Sequence, residues 1–197
     1  MRRIAHSLAL LLTLAAGNAS ASDVEVRAAS LEAVEEGLVL NADFEFVLSQ
    51  RLEEVVTNGV PLYFRVEFEL TRPRWYWFDD KAVSSVLQIR LSYHALSRSY
   101  RLSTGLLQQN FATLEEALNV LKRLRNWLVV DRTTTFSDAD YQAAIRFRLD
   151  TGMLPRPFQL SAITSRELQL ESAWKRFTVR PVQAPAPVES RSPKEVK

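Results

Sequence analysis

Over residues 62–70 the chain alternates without a break. Leu62, Phe64, Val66, Phe68 and Leu70 fall on one side, and Tyr63, Arg65, Glu67 and Glu69 on the other. Period-two patterning of this length belongs to a strand with one buried face and one wet face. A slip of one residue would put every large apolar side chain in water. The same period returns elsewhere. Tyr141, Ala143, Ile145, Phe147 and Leu149 point inward, with Arg146 and Arg148 outward. Leu38, Leu40, Ala42, Phe44 and Phe46 follow a Glu36-Gly37 turn, and Val24, Val26 and Ala28 precede it. Residues 84–94 carry Leu87, Ile89, Leu91 and Tyr93 on one face, with Ser92 and His94 on the other. The chain is expected to turn near Ser97-Arg98 and return through Tyr100 and Leu102, and a last strand is predicted over 168–179 with Trp174. Half-buried strands in meander order make antiparallel sheets.

Two helices complete the expectation. Ser49 is an N-cap, Leu52, Val55 and Val56 form a stripe, and Asn58-Gly59 stops the helix. Thr113-Leu114-Glu115-Glu116 is a capping box. Leu114, Ala117, Leu118, Leu121 and Leu124 then predict a helix whose last turn holds Lys122, Arg123 and Arg125. Residues 105–110 and 132–140 read as connections, and Leu154-Pro155-Arg156-Pro157 reads as extended, because each proline restricts its predecessor. The predicted class is α+β, a mostly antiparallel sheet or sandwich of about seven strands with two short helices packed on it.

Residues 1–21 have the pattern of a secretory signal: Arg2-Arg3, an apolar run from Ile4 to Ala16, and Ala19-Ser20-Ala21 as a small-x-small cleavage site. The apolar run is short for a bilayer span, which needs about 20 residues. The expected layout is a signal peptide at 1–21, one domain at 22–180, and a disordered Pro-, Ser- and charge-rich tail at 181–197. The expected location is the periplasm, with no integral membrane span after cleavage.

Export changes the charge argument. The full chain has 25 basic and 23 acidic side chains, and loss of Arg2 and Arg3 brings the two to balance. Nucleic-acid binding then lacks the basic surplus that neutralises phosphates, so no nucleic-acid partner is expected. Arginines number 20 and lysines 5, which leaves contact with anions or aromatic faces open. Without cysteine there is no disulfide and no thiolate nucleophile. Only His94 remains after the leader is lost, so neither a zinc site nor a cofactor is expected.

The densest chemistry lies in Arg72-Pro73-Arg74-Trp75-Tyr76-Trp77-Phe78-Asp79-Asp80. Four consecutive aromatics break the alternation. They can lock one end of the β-structure or present an aromatic edge to a partner. Asp79 and Asp80 point to opposite faces if the strand continues, which suits an acid/base pair poorly. His94 is either a pH-sensitive group or a hydrogen-bonded structural one. Arg90, Arg101, Arg146 and Arg148 either form a cationic face or pair across strands with Glu67 and Glu69. The candidate binding residues are therefore Arg72, Arg74, Trp75, Tyr76, Trp77, Asp79, His94, Arg146 and Arg148.

Several ordered motifs carry a resemblance. Val60-Pro61-Leu62-Tyr63-Phe64, Arg72-Pro73-Arg74-Trp75-Tyr76-Trp77, Arg90-Leu91-Ser92-Tyr93-His94-Ala95-Leu96 and Ser99-Tyr100-Arg101 come first. Leu149-Asp150-Thr151, Leu154-Pro155-Arg156-Pro157 and Trp174 follow. Together they resemble the domain-of-unknown-function 4390 family of exported proteobacterial proteins, some labelled proline-rich signal peptide protein. The chain departs from the family at Arg166-Glu167-Leu168 and Phe177, where the resemblance implies a late tryptophan. The family has no established activity, cofactor or catalytic residue. The resemblance also implies a gene neighbour encoding a nitrogen-regulation-type sensor kinase. The expected function is a periplasmic non-enzymatic binding or accessory module, with an envelope protein or the periplasmic domain of a sensor histidine kinase as partner. The alternative is a cell-wall or glycan hydrolase using Asp79 or Asp80. The oligomeric state is left open.

Overall fold

The computed structural model describes residues 24–73 and 80–180. Among these residues nine strands form two antiparallel sheets, with three α-helices at their margins. The small sheet holds β1 (Val24–Val34), β2 (Gly37–Phe46) and β7 (Arg123–Asp131), in the order β1-β2-β7. The large sheet holds β3 (Leu62–Arg72), β4 (Asp80–His94), β5 (Ser99–Thr104), β6 (Leu107–Phe111), β8 (Tyr141–Leu149) and β9 (Lys175–Val179). Its order is β6-β5-β4-β3-β8-β9. The helices are α1 (Gln50–Thr57), α2 (Leu114–Leu121) and α3 (Arg156–Thr164).

The alternation sets the faces as expected. Leu62, Phe64, Val66, Phe68 and Leu70 are all fully buried, and so are Ala143, Ile145 and Phe147 across the β3–β8 pairing. The two sheets meet through four rings. Phe147 on β8 lies 4.8 Å from Phe44 and 5.1 Å from Phe46 of β2, and 5.6 Å from Phe64 of β3. Such ring pairs each add about 0.5–1.5 kcal/mol beyond their buried area. A β-bulge at Val26/Ala28 shifts the register of β1, so Ala28 is exposed and Ala29 packs on the core instead, contrary to the plain alternation.

Four further expectations are corrected. The second helix stops at Leu121, and Arg123, Leu124 and Arg125 belong to β7. Pairing with β2 overrides helix propagation there: Phe44 N–H donates to the Lys122 carbonyl at 2.8 Å, and Arg123 stands opposite Asp43. Residues 107–111 are a strand, not a connection. Residues 156–164 are helical, because proline fits the first turn of a helix, where its missing N–H costs nothing. The last strand is confined to Lys175–Val179, so Trp174 just precedes it. Residues 1–21, 74–79 and 181–197, to which the signal peptide, aromatic-cluster and tail readings refer, lie outside the described residues.

The sandwich is stitched on one side and open on the other. On the β1 side, Val24 bridges Ser172, whose buried hydroxyl accepts from the Phe147 N–H at 2.9 Å. On the opposite side β7 pairs, among the described residues, with β2 alone. The Ser85 hydroxyl of β4 donates to the Val129 carbonyl at 3.0 Å, tying that end of β7 to the large sheet.

Candidate functional site

Past Val129 the two sheets part. Because the small sheet is three strands narrower, the inner face of β4, β5 and β6 runs on beyond β7 without a strand to cover it. The space left is a cleft of about 440 Å³. Its floor is Leu87, Ile89, Leu102 and Leu107, and its walls are Val120 and Leu121 of α2 with Leu124, Trp127 and Leu128 of β7. The volume lies in the range of ligand pockets, about 300–1,000 Å³, and the mostly apolar lining fits that class. Ten large apolar side chains are exposed among the described residues, and Leu107, Val120 and Leu128 of this cleft are three of them.

Local chemistry keeps the cleft open. The capping box holds α2 in place: Thr113 Oγ1 accepts from Glu116 N–H at 3.2 Å, and the Glu116 carboxylate accepts from Thr113 N–H at 3.3 Å. Next along, β7 carries two register shifts against β2. At one of them Asn126 takes a left-handed φ of 54°, and its N–H donates to Asn41 Oδ1 at 2.9 Å. Bulges twist an edge and discourage edge-to-edge pairing of copies. Arg123 and Arg125 stand at the mouth. Arg125 bonds to Asp43 and to the Ala42 carbonyl, while the Arg123 guanidinium makes no ion pair or hydrogen bond among the described residues.

The outer face of the large sheet carries a different arrangement. Glu67 sits on the central strand and is 9% exposed. Arg146 Nε donates to it at 3.0 Å and Arg148 Nε at 2.9 Å, and Arg65 lies 3.6 Å away. Arg146 also reaches Glu171 at 2.9 Å and stacks over the Trp174 ring at 4.7 Å. Burial pushes the Glu67 carboxyl up. The hydrogen bonds from Arg146 and Arg148 outweigh that, and the group sits below the ordinary glutamate value. Arg146 and Arg148 are thus committed to a carboxylate of their own chain. Arg90 lies over the Tyr63 ring, 5.9 Å from its centre, and Arg101 donates to Asn110 at 2.8 Å.

The other candidates are scattered. Arg72 donates to the Ser137 hydroxyl at 3.3 Å, at the end of the β3–β4 hairpin where it pairs with Asp80. Arg74, Trp75, Tyr76, Trp77 and Asp79 lie outside the described residues. His94 is exposed at the mouth of the β4–β5 hairpin opposite Ser99, with no ring hydrogen bond among the described residues. It lies at the far end of β4 from Arg72, so the structure does not bring the two together.

Residues 21–178 match the family described as Domain of unknown function (DUF4390). The chain belongs to that family. The match spans both sheets, so the stitched and open sides of the sandwich both fall within the DUF4390 domain. No curated protein and no solved structure matches the chain. The residues that sequence reasoning missed are the cleft residues of this domain, Leu107, Trp127 and Leu128 above all. A signal existed: Trp127-Leu128-Val129-Val130, bounded by Asn126 and Asp131, is rich in aromatic and β-branched residues and reads as a strand once the helix is allowed to stop at Leu121.

Proposed function

We propose that this DUF4390 domain is a periplasmic, non-enzymatic binding or accessory module that receives a segment of an envelope protein in the cleft beside β7. The observation that carries this reading is an apolar cleft of about 440 Å³ running along a strand whose one strand neighbour among the described residues is β2. An extended segment can place alternate side chains against Ile89 and Leu102 and offer its main chain to the β7 edge. An acyl chain in the same place would strip water from the edge amides without replacing their hydrogen bonds, at a cost of about 1–3 kcal/mol for each group left unpaired. The apolar run of residues 4–16 behind Arg2-Arg3 supports export. The kinase neighbour implied by the family resemblance supports the periplasmic part of a sensor histidine kinase as the protein that supplies the segment.

In-cell photo-crosslinking tests this. A photoreactive side chain replacing Leu107 or Leu128 is expected to give a discrete protein adduct, and one replacing Val86 on the outer face is expected to give none. A second change, Leu102→Arg, fills the cleft and should abolish the adduct at 128. Absence of adducts at both cleft positions, or equal adducts at all three, overturns the reading.

A further inference from the structure

Five of the ten exposed large apolar side chains gather at one end of the sandwich, away from the cleft: Val47, Leu96, Met153, Leu160 and Ile163. The strand registers place them together. β3 begins at this end and β4 and β8 finish there, since Leu62 faces Leu91 and Phe64 faces Leu149. Val47 follows β2 directly, Leu96 is in the β4–β5 turn, and Met153 and α3 follow β8. α1 ties the pieces into one cap. Its N-cap Ser49 donates to the Glu167 carbonyl just after α3, Arg51 lies over the Phe158 ring of α3, and Thr57 bonds to Tyr100 beside the β4–β5 turn.

These side chains are tips and not a groove. Leu96 is 106% exposed, Val47 79% and Ile163 76%. Leu160 and Ile163, three residues apart, share one face of α3, while Ala162 is the residue that α3 buries. Arginines stand beside the tips. Arg98 is two residues from Leu96, Arg156 is the first residue of α3, and Arg166 follows the helix. None of the three makes an ion pair among the described residues, and residues 151–166 contain no carboxylate. The acids of this cap are Glu53, Glu54, Asp150 and Glu167, of which Glu54 is engaged by Arg51 and Asp150 by Arg65.

We infer that this end of the molecule docks on the surface of a lipid bilayer with anionic headgroups. Apolar exposure concentrated at one end of a small domain marks a contact surface. Convex tips insert between lipid chains, whereas a protein partner would have to supply a matching hollow for each. Arginine stems lie along apolar surface while their heads reach lipid phosphates. No helix among the described residues is long and apolar enough to cross a membrane, so the contact is interfacial. Such docking presents the cleft, on the flank of the sandwich, to proteins standing in the same membrane.

Vesicle flotation tests it, with a chain beginning at Ser22. All the buried core residues lie between Val24 and Leu170, so the shortened chain keeps the whole core. Vesicles of phosphatidylcholine mixed with phosphatidylglycerol should float the protein. Ile163→Asp with Leu160→Asp should lower the bound fraction about tenfold or more, and Leu96→Asp, in a turn outside the core, should lower it as well. Arg98→Gln with Arg156→Gln should weaken binding to the mixed vesicles but change little on phosphatidylcholine alone. Leu128→Asp in the cleft should bind vesicles like the parent, so failure of the cleft reading and failure of this one are separable. No flotation of the parent, or flotation indifferent to Leu96→Asp and Ile163→Asp, overturns the inference. So does an in-cell crosslink from position 163 to protein in place of lipid.

Discussion

Glu67 shows how one side chain can decide what a surface does. Four outward arginines on a sheet invite an anionic partner, yet two of them, Arg146 and Arg148, close on this single carboxylate. Only their outward direction was legible from the alternation. Their pairing depends on β3 and β8 being neighbours, a contact between strands more than 70 residues apart in the chain. Removing one partner from a largely buried charge network costs several kcal/mol, less where the guanidiniums remain partly wet, as they do here. Glu67→Gln should therefore lose about 2–3 kcal/mol near neutral pH. The pH dependence follows from the depressed carboxyl. A group whose folded value lies below its ordinary 4.5 contributes its full stability above that value and loses it as pH falls through the folded value. Urea melts of parent and variant should differ near pH 7, and by less at a pH below 4.5. The same gap at both values would show that the charge network is not the cause.

At the scale of elements, the legible parts were those set by a single local rule. β2, β3 and β8 follow strict alternation, and α1 and the start of α2 follow capping. The misread parts are those where two local rules conflict and a distant partner decides. Leu124 continues a helical face in sequence, but β2 recruits it into a strand. β6 has four exposed residues of five, so no alternation announces it, and it exists because β5 offers an edge. The cleft fell in this blind zone because its walls are the elements that sequence could not assign. Gly37 is the hinge of the same arrangement. It has a φ of 146° at the β1–β2 turn, and a Cβ there would stand 2.0 Å from the Val130 carbonyl oxygen of β7. That neighbour is backbone and cannot turn aside. Gly37→Ala should destabilise by about 3 kcal/mol or more, from overpacking together with strain, and should loosen the pairing of β2 with β7. Thermal melts and Trp127 fluorescence would check it. An unchanged midpoint would mean that β7 shifts freely, which would contradict a cleft held in a fixed shape.

For the whole molecule, asymmetry is the property to test. One side is closed by the Val24–Ser172 bridge and by the Lys175 amine donating to the Arg27 carbonyl at 3.3 Å, while on the other side β4, β5 and β6 run out beyond β7. Burial follows the same gradient. β3 has no exposed residue and lies between two strands, whereas β6 is an edge strand that buries none of its side chains. Local opening costs little where few apolar contacts are lost, and the full unfolding free energy where the core must separate. Amides of β3 and β8 should thus exchange with solvent only through global unfolding. Those of β6 and the outer half of β5 should exchange far sooner, by an opening that leaves the Phe44–Phe46–Phe64–Phe147 cluster intact. A segment filling the cleft would add contacts to Leu102 and Leu107 and slow β5 and β6 selectively. Hydrogen exchange read by mass spectrometry distinguishes the cases. Uniform protection across the large sheet in the free protein would mean that the open side is as cooperative as the closed one, and the cleft would then be a rigid depression with no reserve of stability for a partner to supply.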